Sequence, residues 1–148
     1  CNNLRQHGYD FTLTSLHTSR PNSESFKKDL TKFVSVCHVV KGLRSARLGA
    51  IGARPGAFNT VRYSEKILQA TGITVTTVDL SEILGNSNRL SDDAPKVKSK
   101  LEEIQAYAKH DTVPSPAILR MAKLGVVISD WMQANDIQAT ALQCWTSL

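Results

Sequence analysis

Apolar positions along this chain follow two periods, and the change from one to the other divides it. From Phe26 onward, Phe26, Leu30, Phe33, Cys37, Val40 and Arg44 recur at helical spacing, with Val34 and Val36 widening the face. Ser23 is placed to cap that helix, which is expected to run to about Arg44. Before it, Asn2 to His7 reads as the last turns of a helix closed by Gly8, and Phe11 to Leu16 alternates like a strand. A turn-rich SRPNS separates that alternation from the long helix.

After Ser45 the pattern changes to short apolar runs between glycines, alternating with amphipathic stretches. Leu48, Ala50 and Ile51 form a buried-strand run within RLGAIGARPGAFN. Gly52, Pro55 and Gly56 then break the chain into a loop, and Thr60 is placed to cap a helix carrying Val61, Ile67 and Leu68. Ile73 to Val78 is a β-branched strand that Asp79 closes, and Ser81 can cap a short helix to Gly85. GNSNRLSDD reads as a polar linker. Pro95 and Ser115-Pro116 each open a helix, the first striped with Val97, Leu101, Ile104 and Ala108. The second is apolar over a wide surface, from Ile118 to Met132, which predicts a position between layers. Ala139 to Leu142 is a third strand.

Strands alternating with helices predict an α/β fold: a three-layer, Rossmann-like parallel sheet flanked by helices. The expected division is residues 1–44, the C-terminal part of a first α/β domain, and 45–148, a central Rossmann-like domain incomplete at its C-terminal end. The chain opens at Cys1 without a methionine and stops a few residues past the third strand, so a piece of a longer multidomain polypeptide is expected.

Composition narrows the classes. An apolar content of 41% and a charged content of 21% over 148 residues are those of an ordinary globular protein. The net charge of +5 is spread along the chain without a run of like charges, which favours a solvated surface over a nucleic-acid patch. No apolar run approaches the roughly 20 residues of a membrane span, and the first residues are polar, unlike a secretory signal. Cys1, Cys37 and Cys144 are odd in number and far apart, which fits neither a disulfide framework nor a zinc site. A cytoplasmic compartment is expected.

Candidate chemistry gathers where strands end. Gly49, Gly52 and Gly56 are spaced G-x-x-G-x-x-x-G, not as a dinucleotide fingerprint, although Asp79 stands where a ribose-binding acid would. The plainer reading gives these glycines to tight turns and close helix–strand packing. Arg54 and Asn59 flank the loop tip and suit polyhydroxyl or anionic ligands; a solvated loop is the alternative. Gln143 and Trp145 follow the third strand, on the same rim if the sheet is parallel. An amide and an indole are a usual sugar contact, but they equally read as a surface turn and core-edge packing. His7, His17, His38 and His110 share no ligand spacing, so no metal site is expected within the chain.

LGAIGARPGAFNTVRYSEKILQATGITVTTVDLSEI, followed by LGVVISDWMQANDIQATALQCW, resembles the central domain of the L-fucose isomerase and L-arabinose isomerase-like sugar isomerases, closest to the fucose-isomerase-like branch. The resemblance runs from about Leu43 to the end. VDLSEI and the stretch from Asn135-Asp136 to Gln143 are its more specific parts. It implies a cytoplasmic aldose–ketose isomerase of carbohydrate metabolism, an intramolecular oxidoreductase acting on a free monosaccharide. It also implies a divalent metal, manganese, whose Glu, Asp and His ligands are expected beyond Leu148, and a homo-oligomer, trimer or hexamer. No nucleic acid or membrane partner is implied. By the resemblance Gln143 contacts sugar, with Trp145 beside it. The loop matching Arg54 to Asn59, Phe58 included, approaches the site from the same subunit or a neighbouring one. No catalytic residue falls within the chain, which alone is expected to be inactive. The alternative is a non-catalytic nucleotide- or sugar-binding α/β domain.

Overall fold

The computed structural model describes residues 2–143. The chain forms two compact units, Cys1–Leu43 and Arg44–Leu148.

The first unit is helical. Helix α1 (Asn2–Gln6) ends as its sequence predicts: Gly8 adopts φ +74, and the Gly8 and Tyr9 N–H groups bond back to the Arg5 and Leu4 carbonyls. Helix α2 (Glu24–Leu43) starts at Ser23, whose hydroxyl accepts from the Phe26 N–H at 3.4 Å. The predicted strand at Phe11 to Leu16 does not form; the segment is irregular. Ladder pairing needs a neighbouring strand, and here the segment lies on a helix instead. Phe11 and Leu13 line an open groove with Phe26, Leu30 and Phe33 of α2. Both Ser15 donors, N–H and O–H, bond to the Asp29 carboxylate at 2.7 and 2.6 Å. No residue of α2 is buried, and Phe33, Val36 and Val39 are half or more exposed.

The second unit is built on three parallel strands, β1 (Arg47–Ile51), β2 (Thr74–Val78) and β3 (Ala139–Leu142), in the order β2-β1-β3. The β1–β2 connection carries a 3₁₀ turn (Asn59–Val61) and α3 (Glu65–Ala70). The β2–β3 connection carries α4 (Leu80–Arg89), α5 (Pro95–Tyr107) and α6 (Ser115–Ala134). The first runs from the central strand to one edge, and the second runs back across the sheet to the other edge. Right-handed crossovers therefore set α3 on one face and the α4–α6 layer on the other.

Two starts differ from the sequence expectation. Ser64 rather than Thr60 caps α3, accepting from the Ile67 N–H, because Thr60 lies inside the 3₁₀ turn. Asp79 rather than Ser81 caps α4, which then runs through Gly85 to Arg89 and absorbs half of the expected polar linker.

Helix α6 has two buried faces, as its wide apolar surface predicts. Leu124, Val127, Ile128 and Trp131 pack toward Ile51, Leu80 and Ile83, which join the sheet to α4. Ala122 and Val126 pack with Val97 of α5, which is 0% exposed. Each such buried aliphatic side chain contributes roughly 1.5–3 kcal/mol. Gly49 lets α6 sit close to the sheet: a Cβ there would lie 2.7 Å from the Trp131 ring and 2.6 Å from Thr140 Oγ1. After α6, Asp136 takes φ +54, a conformation a short polar side chain tolerates, and turns the chain into β3.

Candidate functional site

In parallel sheets ligands bind outside the carboxyl ends of the strands, at the crevice where neighbouring connections diverge. Here the carboxyl ends of β1 and β3 stand side by side, and the connection that leaves β1 runs toward β2, away from β3. The residues emerging there are Gly52 to Asn59 after β1 and Gln143 after β3.

Parallel pairing continues one step past the strands, with the Gln143 N–H bonding to the Ile51 carbonyl at 2.9 Å. That bond fixes the Gln143 backbone, and its side chain turns over the start of the β1 loop. Gln143 Oε1 accepts from the Ala53 N–H at 2.7 Å. Gly52 makes room for this. Its φ is +78, and a Cβ on it would lie 2.5 Å from Gln143 Oε1 and 2.9 Å from Gln143 Cβ. Two requirements, a left-handed backbone and close approach of a side chain, thus meet at one glycine.

The loop is folded on itself. Arg54 Nη1 donates to the Pro55 carbonyl at 3.1 Å, to the Gly56 carbonyl at 3.4 Å and to Asn59 Oδ1 at 3.4 Å. The guanidinium therefore braces its own loop, and Arg54 and Asn59 are brought together at the tip. Phe58 is half-buried and precedes the 3₁₀ turn. Trp145 lies outside the described residues.

Other candidates are not part of this crevice chemistry. The Asp79 carboxylate accepts from the N–H and the hydroxyl of Ser81, and these bonds, the hydroxyl's first, hold its pKa below 3.8. It is committed to capping α4, the task that competes with ribose binding. Among the described residues no three His, Cys, Asp or Glu side chains gather around a point that could hold a metal ion. No helix among them is long and apolar enough to cross a membrane.

One partner of this arrangement was not visible in the sequence. Gln138 Oε1 accepts from the Arg47 N–H at 2.9 Å, so the two glutamines that flank β3 hold the start of β1 and the loop that follows it. No spacing rule marks such a pair, because the two side chains act across strands that lie 91 and 90 positions apart in the chain.

Comparison with known proteins bears on both units. A family described as "Fucose/sulfoquinovose isomerase, N-terminal domain" matches residues 1–44. The chain is also similar to the sulfoquinovose isomerases of Priestia aryabhattai and Priestia megaterium. Each is 22% identical over 147 residues, covering 97% of this chain. The chain spans 31% of the length of these relatives.

Proposed function

We propose, from the fucose-isomerase-like family that these comparisons support for the chain, that it is part of an aldose–ketose isomerase acting on a free sugar. The observation that carries the reading is the similarity of nearly the whole chain to two sulfoquinovose isomerases. The crevice between β1 and β3 is then the chain's contribution to the sugar site. Gln143 offers a carboxamide to a sugar hydroxyl there, and a carboxamide can hold two neighbours at once through its oxygen and its two N–H donors. Arg54, Phe58 and Asn59 present a braced loop to the same sugar, in this subunit or in the next one of a trimer or hexamer. Trp145 supplies an aromatic face for sugar C–H groups.

Moving a carbonyl between adjacent carbons requires a proton to leave one carbon and arrive at the other, with acid and base groups placed at both. The described residues bring no such pair to the crevice, and they do not fit a divalent metal. A manganese requirement in this reading rests on ligands from other residues of the full-length protein.

The test uses that full-length protein with manganese and a panel of aldoses that includes sulfoquinovose and L-fucose. Interconversion of at least one sugar is expected, and none from residues 1–148 alone. Failure to convert any sugar would overturn the reading. Within an active enzyme, Gln143→Ala removes the neutral hydrogen bond to the sugar, along with the one from the Ala53 N–H. Loss of the sugar bond costs about 0.5–1.5 kcal/mol, or up to roughly 3 where a buried partner is left unpaired. kcat/KM should fall about threefold to a hundredfold with the thermal midpoint little changed. Unchanged kinetics would remove Gln143 from the site.

A further inference from the structure

We infer that Gln143 is a positioning residue: its carboxamide oxygen latches the Ala53–Asn59 loop over the carboxyl edge of the sheet. The inference builds on the sugar-site reading above, but the latch can be tested without a sugar. Three observations carry it. The Gln143 backbone is held by the Ile51 carbonyl, which gives the side chain a fixed base. Its Oε1 takes the first loop N–H, that of Ala53, at 2.7 Å. Gly52 leaves no Cβ where that oxygen lies, so the chain bends under the carboxamide.

The Arg54 bonds make the loop a unit from Pro55 to Asn59, but every one of them is internal to the loop. They set its shape, not its place. The Ala53 bond joins that unit to β3. A sugar that engages the Gln143 carboxamide therefore acts on the group that holds the loop, and the contact residue and the loop are coupled through one side chain. A loop tied down through a side-chain acceptor responds to loss of that acceptor and not to an exchange that preserves it. This asymmetry separates positioning from ordinary packing.

Amide hydrogen exchange on the full-length protein, without sugar, reads the latch directly. Gln143→Glu keeps an oxygen for the Ala53 N–H, whereas Gln143→Met keeps the length of the side chain and loses the acceptor. Ala53 should exchange about threefold to tenfold faster in Gln143→Met and at the native rate in Gln143→Glu. The backbone N–H of residue 143, bonded to Ile51, should stay protected in both. Unchanged Ala53 exchange in the methionine variant would overturn the inference. So would faster exchange throughout β1 and β3, which marks residue 143 as a strand-end support, or failure of glutamate to restore protection. None of these outcomes depends on turnover, so an inactive protein with an intact latch would count against the proposed function alone.

Discussion

At the scale of single residues, the glycines carry the most information, and for different reasons. Gly52 combines a left-handed backbone with the approach of Gln143; Gly49 has ordinary strand geometry and is required only by the Trp131 ring and Thr140. A Cβ on Gly56 would meet nothing within 4 Å. Spacing alone cannot distinguish these three, because each need is set by what another part of the chain brings up to the backbone. The plain reading of turns and close packing fits Gly49 and Gly52. Gly49→Ala should overpack the α6–sheet contact and destabilise the second unit by about 1–3 kcal/mol. Thermal unfolding followed by far-ultraviolet circular dichroism checks this, and an unchanged midpoint would show that the Trp131 ring can move aside. Thr140 belongs to the same close approach: its buried hydroxyl, 2.6 Å from where a Gly49 Cβ would lie, finds no hydrogen-bond partner among the described residues.

At the scale of elements, strands and helices of the second unit were legible where local chemistry is strong. TVTTV is β-branched and forms β2, and Pro95 and Pro116 stand in the first turns of α5 and α6. Starts set by competing caps were less legible. Asp79 and Ser81 can both cap, and the outcome follows from which one keeps an extended backbone: Asp79 has ψ 137, and Ser81 is already helical. The Phe11–Leu16 alternation failed for another reason. Alternation marks residues that favour an apolar surface, but a helix face can supply that surface as well as a sheet. The Asp79 cap also makes a pH prediction. Its folded pKa is depressed below 3.8 by the Ser81 hydroxyl and N–H. The stabilisation is therefore fully present above the unfolded value and is lost as pH falls through the folded one. Asn caps comparably and does not titrate. The difference in thermal midpoint between wild type and Asp79→Asn should thus hold steady from neutrality to about pH 4 and change below it. A difference that stays constant down to strong acid would show that the carboxylate charge is irrelevant to α4.

At the scale of the whole molecule, the candidate site is a product of topology. Gln143 is an unremarkable residue in the sequence until parallel pairing carries it to the loop that left β1 some 90 positions earlier. The rim could be anticipated from the rule that parallel strands put their carboxyl ends together, and so could the meeting of Gln143 with the β1 loop. The direction of the Arg54 side chain could not. It depends on carbonyls within its own loop that only the folded backbone presents.

The same topology has a consequence for the protein as it is being made. β1 is the middle strand, yet it precedes both of its neighbours in the chain. Its first partner arrives early, with Arg47 opposite Thr74, but its second waits until Gln138, 91 positions on. At roughly 5–20 residues per second of synthesis, one edge of the central strand stands open for several seconds or more. An open edge is a template for pairing with another chain. A chain stopped at Asn135 should therefore self-associate, visible as light scattering, and adding β3 in trans as a peptide should suppress it. Equal scattering with and without that peptide would show that the open edge is already protected, and that the nascent chain has no interval of exposure to survive.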